Sequence, residues 1–113
     1  MEIRKNAMIM VKGDSESITV TCRDASGMGK PFITGDKVYF TVKRSLNETT
    51  IILQKVVDTF TDGVASILIY PNETKGMDAG TYVYDIQITF ADGTVNTVVK
   101  PNMFILEGEV TYE

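Results

Sequence analysis

The chain has no histidine, no tryptophan and a single cysteine, Cys22, among its 113 residues. The missing imidazole removes every serine or cysteine triad that relies on a histidine base. It also excludes zinc sites of the thiolate–imidazole kind. One cysteine leaves no intramolecular disulfide. A reactive thiol needs exposure and positive neighbours. Arg23 is adjacent to Cys22, but neighbouring strand residues point to opposite faces, so Cys22 is expected to be an inert core residue. Long hydrophobic runs are absent too, and no segment approaches the roughly 20 apolar residues of a membrane span. The early run Ala7-Met8-Ile9-Met10-Val11 is too short for a secretory core and no small-residue cleavage site follows it. Synthesis in a cytoplasm is therefore expected. Basic residues are scattered and outnumbered, 11 against 15 acidic, for a net charge of -4. Nucleic-acid binding needs a basic patch, so that partner is excluded.

What the chain does have is period-two alternation. Hydrophobic residues make up 43% and charged residues 23%, the balance of a soluble globular domain, and the length supports one domain over residues 1–113. Turn signals cut the alternation every eight to twelve residues or so. The predicted strands are Ala7–Val11, Ser17–Cys22, Val38–Lys43, Thr50–Val57, Val64–Tyr70, Thr81–Phe90 and a last one running from Thr94 to Leu106, interrupted at Pro101-Asn102. Ile18, Val20 and Cys22 should share one face, as should Val38, Phe40 and Val42. Val64–Tyr70 is apolar on both sides, which predicts cover on both faces. Thr61-Asp62-Gly63 and Asp92-Gly93 are hairpin signals. Pro71–Asp78 has room for one helical turn.

Met77–Ile86 carries the most specific pattern. Asp78, Gly80, Tyr82 and Tyr84 occupy alternate positions, as Asp, Gly, Tyr and Cys do at the entry to a late strand of an immunoglobulin-like domain. Tyr82 is then a tyrosine corner, whose hydroxyl ties the corner loop to the strand. Tyr84 stands where the disulfide cysteine would be and is expected to pack on Cys22, while Phe40 replaces the usual core indole. The predicted fold is all-β: an immunoglobulin-like antiparallel β-sandwich of about seven strands. A small β-barrel is the alternative.

No catalytic or cofactor-binding constellation stands out, and none is expected. Asp85 should face out of the core as a solvated or cross-strand paired carboxylate. Asp14, Asp36, Asp62, Asp78 and Asp92 all lie within a residue or two of a glycine. Calcium needs roughly six to eight oxygens converging on one point. The absence of any Asp-x-Asp run favours turn roles over a metal site. Asn47-Glu48-Thr49 and Asn72-Glu73-Thr74 match the glycosylation pattern, which matters only in a secreted chain. Met8-Ile9-Met10 is either an ordinary first strand or an edge that adds to a neighbour's sheet, the ordinary strand being favoured. Tyr39, Tyr70 and Tyr112 are the aromatics that a carbohydrate- or cell-surface-binding module would present.

Gly13-Asp14-Ser15, Val38-Tyr39-Phe40-Thr41-Val42-Lys43, Asp78 to Gln87, Ala91-Asp92-Gly93-Thr94-Val95, Met103-Phe104-Ile105-Leu106 and Glu109-Val110-Thr111 carry a resemblance over nearly the whole chain. It resembles the N-terminal immunoglobulin-like domain of phage baseplate upper proteins, and small related proteins of phages and prophages of Gram-positive bacteria. That resemblance implies a non-enzymatic structural or assembly protein made in a bacterial cytoplasm and located in the virion, as a baseplate, tail or decoration component. Its implied partners are other virion proteins and further copies of itself. Because no receptor-binding part follows Glu113, the resemblance favours a small assembly component over host recognition.

Overall fold

The structure is a computed structural model that describes the backbone of residues 2–4, 7–23 and 29–108, with side chains for 7–21 and 31–108. Predictions that concern the side chains of Cys22 and Arg23, or Glu109, Val110, Thr111 and Tyr112, lie outside the described residues.

Among the described residues, ten strands and one short helix follow in order: β1 (Glu2–Arg4), β2 (Ala7–Val11), β3 (Glu16–Val20), β4 (Cys22–Arg23), β5 (Gly29–Lys30), β6 (Lys37–Lys43), β7 (Leu53–Val57), β8 (Ala65–Ile69), α1 (Pro71–Lys75), β9 (Gly80–Thr89) and β10 (Val95–Glu107). One six-stranded sheet has the order β1-β2-β10-β9-β6-β7. β3 and β8 form a second sheet, and β4 with β5 a small hairpin. In immunoglobulin lettering β3 and β8 are B and E, while β6, β7, β9 and β10 are C, C′, F and G. The sheets are thus the B–E and G–F–C–C′ layers of an immunoglobulin-like sandwich. The two layers are separate among the described residues, which sets the structure apart from a closed barrel.

Alternation places the core. Val38, Phe40 and Val42 of β6, with Tyr82, Tyr84, Ile86 and Ile88 of β9, are buried from the large sheet. Ile18, Val20, Ala65, Ile67 and Ile69 close on them from the small one. Each fully buried Ile or Phe contributes roughly 1.5–3 kcal/mol of transfer free energy. Phe40 and Tyr84 take the places of the core indole and the second cysteine. Their ring centroids are 5.6 Å apart, and Phe104 stands edge-on to both at 6.1 and 6.4 Å. Such an aromatic cluster adds to its area burial and substitutes for the missing cross-link. Burial pushes the Tyr84 phenol above its ordinary pKa.

Both Asp-Gly signals produce turns, but only Asp92-Gly93 joins a pair of hydrogen-bonded strands; Asp62-Gly63 carries the chain from β7 in the large sheet to β8 in the small one, closed by an isolated Thr61–Val64 bridge. Asp62 (φ 54°) and Gly63 (φ 72°) give the two positive angles of a type I′ turn, closed by reciprocal bonds between Thr61 and Val64. A Cβ on Gly63 would come within 2.4 Å of the Pro31 Cβ, so glycine is required there twice over. In the β9–β10 hairpin the Gly93 amide bonds the Phe90 carbonyl, and the Asp92 carboxylate accepts from the amide and hydroxyl of Thr94. α1 is the expected helical turn.

Five further sequence expectations need correction. The sandwich is not purely antiparallel: β2 runs parallel to β10. The strand expected over Ser17–Cys22 stops at Val20, and Cys22–Arg23 pairs with Gly29–Lys30, where no strand was predicted. Thr50–Val57 begins only at Leu53, because the three consecutive apolar residues Ile51-Ile52-Leu53 break the alternation that a two-faced strand requires. Val64–Tyr70 is covered on one face alone; Leu68 and Tyr70 are 43% and 50% exposed. Pro101-Asn102 does not interrupt the last strand, because two register shifts, Thr97/Val99 and Val99/Asn102, absorb the irregularity. A central strand tolerates proline at such bulges because no ladder amide is needed there.

Candidate functional site

Strand alternation that buries one face of β6 and β9 forces the intervening residues onto the other. The outer face of the six-stranded sheet therefore carries Thr41 and Lys43 from β6, Gln54 from β7, and Val83, Asp85 and Gln87 from β9. Thr41 lies opposite both Gln54 and Asp85, and Gln54 Nε2 donates to Thr41 Oγ1 at 3.1 Å. Leu46 and Ile51, from the connection between β6 and β7, rise over this row on one side, and Pro101 of β10 on the other. Together they line an open depression of about 270 Å³ whose floor is mostly polar and whose sides are apolar. Leu46 is 66% exposed, and Met103 extends the apolar rim at 48%. Met103 lies opposite Val83 across the β9–β10 ladder.

Asp85 is the acidic group at the floor, with Lys43 as its basic neighbour. Burial pushes its carboxyl above the ordinary value, and the positive charge of Lys43 only partly opposes that. The sequence placed Asp85 outside the core but not half-buried in a concavity. Large apolar side chains ringing a small polar centre, on a face that none of the described residues covers, have the composition of a contact surface. Leu46, Ile51 and Pro101 were not legible beforehand. Leu46 sits in the mostly polar stretch between β6 and β7, and the only local signal nearby is the consecutive apolar run Ile51-Ile52-Leu53, which departs from strand alternation.

The tyrosine corner residues lie at one end of this sheet. The Tyr82 hydroxyl donates to the Asp78 carbonyl at 2.7 Å, four residues upstream. The Asp78 carboxylate meets Arg44 at 3.3 Å, and the Arg44 guanidinium lies 5.4 Å from the centre of the Tyr82 ring. Gly80 starts β9, and Tyr84 is buried two residues beyond Tyr82.

The remaining loop carboxylates have turn roles and do not converge. Asp36, 2% exposed, accepts from the Ile33 amide at 3.0 Å and the Ala91 amide at 2.9 Å, joining two loops. Asp14 lies in the turn after β2, Asp62 in the turn between β7 and β8, and Asp92 in the β9–β10 hairpin. No group of three potential metal-ligating side chains occurs among the described residues. Of the two glycosylation-like triplets, Asn47-Glu48-Thr49 is exposed. In Asn72-Glu73-Thr74, Glu73 bonds the Tyr70 amide and Lys55 Nζ, both at 2.7 Å. Thr74 is fully buried and accepts from the Gly13 amide. Met8 and Met10 are core residues of a strand flanked on both sides, so this segment is not an edge. Tyr39 is half-buried on the outer face, opposite Val56 and Gln87. Tyr70 lies elsewhere, at the β7–β8 side of the sandwich with Lys55 Nζ 5.0 Å from its ring centre. The two do not form one aromatic platform.

No protein-family model and no curated protein matches the chain. Among solved structures, one of murine CRIg is similar, with a TM-score of 0.36 and 15% identity over 91% of this chain and 92% of that one.

Proposed function

We propose that this chain is a non-enzymatic structural module that acts through protein–protein contacts on the outer face of its six-stranded sheet, as a component of a phage or prophage particle. One observation carries the contact face: Leu46, Ile51, Pro101 and Met103 stand out around the half-buried pair Lys43 and Asp85. An apolar rim of this kind is stabilised by being covered. The charged centre sets which partner fits, since leaving Asp85 dry and unmatched costs free energy. The assignment to a particle rests on the resemblance of Asp78–Gln87 and the flanking motifs to the baseplate family.

The double variant Leu46→Asp/Met103→Glu tests both parts in a lysogen whose own copy of the gene is deleted. Both side chains are largely exposed, so folding and urea midpoint are expected to match wild type. Induced particles are expected to lack the protein or fail to assemble. Normal particles that incorporate the variant would remove the contact face from the proposal. Absence of the wild-type protein from purified particles would remove the particle.

A further inference from the structure

We propose that the free edge of β8 is a self-association site. Two copies pair β8 to β8, antiparallel across a two-fold axis centred on Ile67, and the two small sheets become one four-stranded sheet.

β8 is hydrogen-bonded along one edge only. It pairs with β3 from Glu16↔Ile69 to Val20↔Ala65, and among the described residues no other backbone group bonds to it. In an antiparallel strand alternate residues direct their N–H and C=O groups to opposite neighbours. About half of the polar groups of β8 therefore point to an open side. A two-stranded sheet is also marginal by itself, yet this one supplies Ala65, Ile67 and Ile69, at most 1% exposed, to the core.

The other edges carry protection that β8 lacks. Native proteins blunt edge strands by shortness, charge, proline or bulges. β1 has three residues, β7 has Lys55 at its centre, and β3 has Glu16 with the polar Ser17 and Thr19. β8 is Ala65-Ser66-Ile67-Leu68-Ile69, with no charge, no proline, no glycine and an unbroken register. Beside it runs a groove of about 340 Å³, lined by Val56, Ser66, Leu68 and Tyr70 and, across from β8, by one charge of each sign, Lys55 and Asp58.

Its sequence suits a second copy. Centring the axis on Ile67 sets Ala65 against the partner's Ile69 and Ser66 against the partner's Leu68. No charge meets a like charge. Each residue keeps its face, so Ile67 stays on the core side and Leu68 on the outside, where the partner strand shields it. The same operation on β7 would set Lys55 against the partner's Lys55, a pairing that is disfavoured. The new ladder makes about four to six backbone hydrogen bonds. The surface is distinct from the outer face of the large sheet, so a copy paired through β8 leaves that face open.

Sedimentation of the full chain from micromolar to millimolar concentration, with hydrogen exchange of the Ala65–Ile69 amides, tests the site. A dimer is expected, with β8 amides whose protection grows with concentration. Ser66→Lys/Leu68→Lys alters only exposed side chains. It is expected to keep the circular dichroism spectrum and raise the dissociation constant more than about tenfold by placing charge on the edge. Leu46→Asp/Met103→Glu, on the other face, is expected to leave the dimer intact. A wild-type monomer at every concentration overturns the site, as does a dimer whose β8 amides exchange at a rate independent of concentration.

Discussion

The Tyr82 hydroxyl reaches the Asp78 carbonyl at 2.7 Å while the ring itself is buried, so the phenol contributes a fixed bond beyond its packing. Tyr82→Phe keeps the ring and deletes the bond. A loss of about 1 kcal/mol in urea unfolding is expected, the usual net worth of one such bond. An unchanged midpoint would mean that the bond contributes nothing to stability. Much at this scale was legible from spacing: alternation from Tyr82 to Ile88 dictates which side chains enter the core. Asp36 was legible only as a turn residue. Its second partner, the Ala91 amide, lies 55 positions away in the chain. Local sequence holds no record of a contact that two distant loops create.

At the scale of elements, the tightest constraint lies in the Asp62-Gly63 turn. Gly63→Ala demands a positive φ from an L-residue and drives a methyl against Pro31. It is expected to cost more than about 1 kcal/mol, measured as a drop in the urea midpoint with an unchanged slope. The tie between α1 and β7 yields a pH dependence. Burial pushes the Glu73 carboxyl up, but the bonds from Lys55 and the Tyr70 amide, with the charge of Lys55, outweigh it and leave the pKa below its ordinary value of 4.5. The unfolded chain therefore takes up this proton first as pH falls. The stabilisation is complete above the ordinary value and is lost as pH drops through the lowered one. Glu73→Gln is expected to lower stability at neutral pH and to flatten the acid limb of a stability–pH curve. A mutant and a wild type that decline in parallel would show that Glu73 is not the group titrating. Asp85 works in the opposite sense. Its pKa is raised by burial, so its ionised form is the costly one in the folded chain. Asp85→Asn is accordingly not expected to destabilise the isolated protein.

For the whole molecule, two surfaces of different kinds follow from the layering: an outer sheet face and an open strand edge. Neither is a property of any one element. The chain's alternation, its turn glycines and the corner spacing around Tyr82 determined that it would be an all-β fold of short strands, sandwich or small barrel, because period-two burial and positive φ are local requirements that a sequence must satisfy in place; the separation into two layers came with the tertiary structure. The missing cysteine partner determined that packing would hold the layers together. Tertiary structure alone decided that β2 joins β10 in parallel, that Phe40, Tyr84 and Phe104 meet, that Leu46 and Pro101 flank one depression, and that β8 keeps a free edge. Each of these depends on which strands become neighbours. That choice is settled by the summed burial of the whole core and leaves no periodic mark on the residues concerned.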